Sequence, residues 1–350
     1  MEAEKGFSMS DVDATTTEFK LGVTLHSFAS EYCSMIWTFE DLMSMAGQLG
    51  GGVEIVGPSH QRGFPYLTDE FESIFRSAVD RYDLTPTSYG SYADPFVLPD
   101  RDLSEDELVA YTIPQLQGAA RLGFPVVRLQ HYTAEIIDRL LPWADRLDLT
   151  LGWELHVPMT LSAARTGQLL DLIEKYDTPR LGIIPDAGIF ARSVSQRHIQ
   201  LGRELGMAEP TIQAALAAWE QDKDLEEGLK IIGSPDAQSP ITTWAGLLWD
   251  TFGRSDPADL AEVIARVVHV HGKFFDIVDG DEPDLRYRDL VASLMRNGYT
   301  GWISSEYEGS VGAGATGNAM KDPPDSFDLL TAQHTMIRGY MDEFRRGELA

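Results

Sequence analysis

Short apolar runs alternate along the chain with longer segments whose apolar residues recur every three or four positions. The runs are Lys20–His26, Gly52–Val56, Leu84–Tyr89, Val126–Gln130, Thr150–His156, Leu181–Asp186, Val267–Phe275 and Gly301–Glu306. Near-continuous apolar runs of this length predict strands buried on both faces. The segments between them predict helices over Phe39–Leu49, Asp69–Tyr82, Ser104–Leu122, Ala134–Leu147, Thr160–Tyr176 and Arg286–Asn297, with a last helix over Asp325–Gly347. Ser104 and Glu107 have capping-box spacing, and Leu122-Gly123 and Asn297-Gly298 read as glycine stops. Regular strand–helix alternation implies parallel strands joined by crossovers, and eight such units close a (β/α)8 barrel rather than an open sheet.

Two stretches depart from that rhythm. From Asp186 to His271 the chain is far longer than the roughly 30 residues a bare crossover unit needs. It carries helical patterns at Ser195–Gly206, Glu209–Asp222 and Ile241–Phe252. Residues 190–260 are therefore expected to be a helical insertion between strands 6 and 7, serving as a lid or a subunit surface. Gly309–Asp325 predicts a long loop after the last strand. Residues 1–18 predict a flexible polar lead-in, and residues 19–350 a single barrel domain.

Composition narrows the function classes. The apolar fraction of 43% suffices for a large core, but the net charge of −27 opposes phosphate backbones and acidic lipid surfaces. Neither nucleic acid nor membrane is an expected partner, and no run approaches the ~18 apolar residues of a membrane span. Cys33 is the only cysteine, so an internal disulfide and a thiolate metal cluster are both excluded. The opening residues have neither an apolar signal core nor an arginine-rich amphipathic pattern, which makes a soluble cytoplasmic protein the expectation.

Candidate chemistry sits at the carboxyl ends of the strands, the face where barrels of this kind place their sites. Strands 5 to 8 end on Glu154, Asp186, His271 and Glu306. Three carboxylates and an imidazole suit one divalent cation, Mn²⁺ first, with Mg²⁺, Co²⁺, Fe²⁺ or Zn²⁺ as alternatives. Without a cation the three carboxylates would leave uncompensated negative charge. His269 shares the face of His271 from a deeper position, which fits a hydrogen-bonded structural role. His156 lies two residues past Glu154 on the same face and is the candidate general base, with His131 in reserve. Lys273, two past His271, either neutralises developing oxyanion charge or pairs with an acid. Arg128 and His131 end strand 4 as candidate substrate or leaving-group contacts, while His26 and Glu54 end the first two strands as candidate partners of sugar hydroxyls. Trp153 and Trp302 read as packing, and Tyr307 and Glu308 are given no chemistry. No phosphate-binding loop, H-E-x-x-H or G-x-S-x-G motif competes.

The stretches NGYTGWISSE (Asn297–Glu306), VHVHGK (Val268–Lys273) and WELH (Trp153–His156), with Asp186 between, resemble the motifs of the sugar phosphate isomerase/epimerase superfamily, the xylose-isomerase-like barrels, in the same order. The resemblance spans roughly residues 18–345. Many members carry a histidine three residues after the strand-6 aspartate, where this chain has Ile189. That departure, the long insertion and the EYEG stretch at Glu306–Gly309 make the chain similar to the large subunit of the bacterial C-glycoside deglycosidases. The resemblance implies a metal-dependent carbon–carbon lyase that acts on 3-oxo-C-glycosides by C2 deprotonation and β-elimination. It also implies a small β subunit within a hetero-oligomer. The alternative is a sugar or sugar-phosphate epimerase or isomerase that reprotonates the same enediolate.

Overall fold

In the computed structural model, which describes residues 18–233, 239–309 and 325–349, eight parallel strands form the expected barrel. The strands are β1 Lys20–Thr24, β2 Gly52–Val56, β3 Thr85–Gly90, β4 Val126–Leu129, β5 Thr150–Leu155, β6 Leu181–Pro185, β7 Val270–Phe274 and β8 Trp302–Tyr307. Each lies within a few residues of the apolar run that predicts it. Neighbours are laddered in the order β6-β5-β4-β3-β2-β1-β8-β7. The ring is closed between β6 and β7 by two isolated parallel bridges, Ile183 with Val267 and Asp186 with His271.

The sequence forms these elements for local reasons. Ser104 accepts from the Glu107 amide while Glu107 accepts from the Ser104 amide, so the capping box starts the helix Glu105–Leu122. Gly123 ends it at φ 89°, a backbone that costs a Cβ-bearing residue more than glycine. Along β5 the alternation turns Trp153 outward, where its indole N–H donates to Thr133 Oγ1 at 2.9 Å, and turns Glu154 inward. At the barrel floor Trp302 fills the interior, and a Cβ on Gly52 would meet its ring at 2.4 Å. Trp153 and Trp302 are thus both packing residues.

Helices Phe39–Gln48, Asp69–Arg81, Ile137–Leu147, Ala164–Tyr176, Tyr287–Arg296 and Ser326–Arg345 complete the outer layer. Between β6 and β7 the chain forms helices Gln196–Glu204, Glu209–Glu220, Leu225–Ile232 and Pro240–Thr251. The third was not expected from the sequence. Gly228 interrupts its apolar pattern, because the Trp249 ring occupies the space a Cβ would need, 2.4 Å away. The expected lead-in, apart from Glu18, and the expected loop Gly309–Asp325, apart from its two ends, lie outside the described residues. No helix among the described residues is long and apolar enough to cross a membrane.

Candidate active site

Alternation along four consecutive strands turns Glu154, Asp186, His271 and Glu306 to the same end of the barrel interior. Their ligand atoms all lie within 4.8 Å of one another. Glu154 and Glu306 reach the wall of a cleft of about 940 Å³. Asp186 and His271 lie behind them, 0% and 1% exposed. Asp186 is placed by its own turn, since its Oδ1 accepts the Gly188 amide at 2.7 Å. His271 contacts carboxylates through both ring nitrogens. Nδ1 is 2.7 Å from Glu154 Oε1 and 3.4 Å from Glu306 Oε2, while Nε2 is 3.1 Å from Glu54 Oε1. A carboxylate can only accept, so this geometry is that of an imidazolium donating on both sides.

Electrostatics follow from that packing. Burial opposes a charge on His271, but Glu54, Glu306 and Glu154 around it hold the ring well above the usual imidazole value. Burial would likewise lift Glu154, yet the Arg128 guanidinium and His271 keep it well below the carboxylate range. Arg128 Nη1 stands 2.6 Å from Glu154 Oε2, in space left by Gly90, where a Cβ would sit 3.0 Å from the guanidinium. Asp186 goes the other way: burial pushes it up to about 6 despite the Lys273 ammonium 3.3 Å away. Asp186 Oδ2 and Glu306 Oε2 are buried without a hydrogen bond of good geometry; each has only a longer ion-pair contact, to Lys273 at 3.3 Å and to His271 Nδ1 at 3.4 Å. Buried carboxylate oxygens so loosely partnered, beside a hard oxygen and imidazole donor set, are what a divalent cation would satisfy, so the residues fit one.

The other expected residues divide. His156, His131, Arg128, Lys273 and His26 all line the cleft. His156 Nδ1 is 2.9 Å from the Val157 carbonyl, which can only accept; the proton is therefore on Nδ1, and Nε2 is left as the basic nitrogen. His131 is partly buried, and burial lowers its pKa. Lys273 pairs with acids, Asp186 at 3.3 Å and Glu308 at 3.0 Å. Glu54 departs from expectation. It is fully buried off the cleft wall, and its carboxylate engages His271 and His269 rather than facing a ligand. Alternation gave its direction but not its depth. His269 donates or accepts at Ser304 Oγ, 2.8 Å away, as a structural residue would.

Two residues were missed. Glu308 lines the cleft, binds Lys273 and lies 3.8 Å from His26 Nε2. It stands two past Glu306, the same spacing that singled out His156 and Lys273. Asp250, from the helix Pro240–Thr251, also lines the cleft and brings the segment between β6 and β7 to its wall. Burial raises its pKa, and no sequence signal separates it from other helical acids.

No protein-family model matches the chain. It is 37% identical over 344 residues to a 3'-dehydrocarminate deglycosidase alpha subunit from a Microbacterium species, covering 93% of this chain and 96% of that protein. It is 30% identical over 337 residues to a C-glycoside deglycosidase alpha subunit from Arthrobacter globiformis, covering 93% of each. Among solved structures, an L-ribulose 3-epimerase matches with a TM-score of 0.56 at 13% identity, covering 94% of this chain and 97% of that one. A D-allulose 3-epimerase from a Methylomonas species matches at 0.53 and 13%, covering 92% and 98%. At such identities the structural likeness carries the barrel fold alone.

Proposed function

The chain belongs to the family of C-glycoside deglycosidase alpha subunits, and on that premise we propose that it cleaves the carbon–carbon bond between a 3-oxo sugar and its aglycone. The observation that carries the reading is the convergence of Glu154, Asp186, His271 and Glu306 at one large cleft, with Glu154 and Glu306 on its wall and the other two behind them. Those four residues would hold a divalent cation, Mn²⁺ by preference, which when bound supplies Lewis-acid stabilisation of an enolate.

The remaining steps fall to the chain's own side chains. The C2 proton of a 3-oxo sugar is acidified by the neighbouring ketone. His156, which lines the cleft and holds the Val157 carbonyl through Nδ1 so that Nε2 is free to accept, takes that proton; His131 is the alternative base. The electrons of the C2–H bond become the enolate. They then form the C1–C2 double bond and the C3 carbonyl re-forms as the C1–aglycone bond breaks; the aglycone carbon leaves with that bond's electron pair and takes a proton back from the protonated His156. Lys273, kept charged by Asp186 and Glu308, offers a hydrogen-bond donor toward developing oxyanion charge. His26 and Arg128 on the same walls orient sugar hydroxyls or the leaving group. Arg128 also fixes the Glu154 carboxylate. The relatives' designation as alpha subunits favours a small second subunit and a hetero-oligomer for this chain.

The test is release of free aglycone from a 3-oxo-C-glycoside by the chain with Mn²⁺ and the product of a neighbouring small gene. His156→Ala and Glu154→Gln are expected to lose that release. Turnover of a ketose by the isolated chain, with no release under any combination of metal and partner, would replace this reading with an epimerase.

A further inference from the structure

Between β3 and β4 the cleft has a wall that the metal chemistry does not use. Tyr92 and Phe96, from the loop after β3, and Tyr132, from the turn after β4, line the same cleft as Glu154 and Glu306. Phe96 is 55% exposed and Tyr92 41% exposed, although both are large enough to favour burial. Phe96 and Tyr132 meet edge to face at 5.1 Å, and Tyr132 lies 4.0 Å from the His131 ring.

The base of this loop is fixed. Gln115 Oε1 accepts the Tyr92 amide at 2.9 Å, and Gln115 Nε2 donates to the Tyr92 carbonyl at 3.2 Å. Gln130 Oε1 accepts the Ala93 amide at 3.0 Å, and its Nε2 donates to the Ser91 carbonyl at 2.8 Å. Two glutamines thus pin the backbone while the Tyr92 and Phe96 rings stay largely exposed at the cleft. A surface held in place yet left unpacked is preorganised for a ligand rather than for the chain's own core. Asp94, half-buried between Tyr92 and Phe96 in the chain, adds a hydrogen-bond acceptor to the wall. The cleft's 940 Å³ is at the upper end of the ~300–1,000 Å³ that encloses a drug-sized molecule, so it holds more than a single sugar ring.

We infer that Tyr92, Phe96 and Tyr132 form an aglycone subsite that stacks a flat, hydroxylated aromatic ring system, with Asp94 accepting from a phenolic hydroxyl. This assignment rests on the deglycosidase reading for the origin of the ring, and it adds the determinant of which aglycones are accepted. Stacking on π-faces tolerates variation in the ring, whereas the Asp94 contact favours rings that carry a hydroxyl at the wall.

The experiment is equilibrium binding of a free flavone, luteolin, to the full chain by titration calorimetry, with no sugar present. Phe96→Ala and Tyr92→Ala are expected to weaken binding about tenfold each. Phe96→Leu, which keeps apolar bulk without a π-face, is expected to fall between wild type and Phe96→Ala. Ile74→Ala, an exposed apolar change on the outer helix Asp69–Arg81, serves as the control and is expected to leave binding unchanged. These residues are exposed, so folding is retained and is checked by melting. In the loaded complex, the same substitutions raise KM for an aromatic 3-oxo-C-glycoside more than they lower kcat. Luteolin affinity that is unchanged in Phe96→Ala and Tyr92→Ala overturns the subsite, even if wild type releases aglycone. Phe96-dependent luteolin binding without any release supports the subsite and counts against the deglycosidase reading instead.

Discussion

Lys273 offers the sharpest test of the electrostatic account. It is 1% exposed, and its ammonium lies 3.3 Å from Asp186 and 3.0 Å from Glu308. Lys273→Met keeps the length of the stem and removes the charge. Removing one partner of a buried ion pair costs about 3–5 kcal/mol because the other charge is left uncompensated. With an unfolding entropy of roughly 2.1 cal/mol/K per residue over 350 residues, that is a fall in Tm of about 4–7 °C. The pH dependence has a definite sign. Burial raises the folded Asp186 carboxyl to about 6, above its unfolded value of 3.8, so its ionisation subtracts stability as pH rises through the folded value. Without Lys273 that folded value rises further. The deficit of the variant should therefore be small at pH 5, where Asp186 is protonated in both proteins, and full at pH 8. The assay is differential scanning calorimetry of both proteins in chelator at the two pH values. Equal melting temperatures at pH 8, or an equal gap at both values, would show that Lys273 does not neutralise Asp186.

Other outcomes follow from the same geometry. Mn²⁺ at a hundred times its Kd should raise stability by about 2.7 kcal/mol, reversed by EDTA. Because His271 must give up a proton to become a ligand, binding near pH 7 should release about one proton per ion, read as acidification in weak buffer; binding without proton release contradicts the imidazolium. Arg128→Gln frees Glu154 from its 2.6 Å partner and should weaken Mn²⁺ affinity about 10–100-fold by calorimetry, and an unchanged affinity would deny Arg128 that positioning role. Gly182→Ala puts a Cβ 2.5 Å from the Arg266 carbonyl and should cost about 1–3 kcal/mol in urea unfolding, whereas a neutral result would mean the strand shifts freely.

Fold and ion cluster were legible because both depend on periodicity. Apolar runs mark strands, and alternation carries polar residues to the interior, as with Glu154, Asp186 and Glu306 at strand ends; His271 shares that face but is the second residue of β7, a layer deeper than the expected strand end. What alternation lacks is depth and partner. Glu54 points inward like Glu154 but sits beneath His271's other nitrogen, so it serves the histidine instead of a sugar. Glu308 follows the two-residue rule as His156 does, each one residue past its strand, but in the sequence it reads as the start of the long loop after the last strand. Asp250 and the aromatic wall come from helix and loop positions whose approach to the cleft is set by tertiary packing alone.

The weak join between β6 and β7 gives the ion a second consequence. Elsewhere each strand is paired to its neighbour along at least three residues, but here one of two isolated bridges is Asp186 to His271, the pair that would share the cation. A cation gripping both would act as a clasp on the barrel wall, just where the chain leaves for the helices that carry Asp250. Loading should therefore slow amide exchange first along Ile183–Ala187 and Val270–Gly272, making the hoop of strands tighten with its own chemistry.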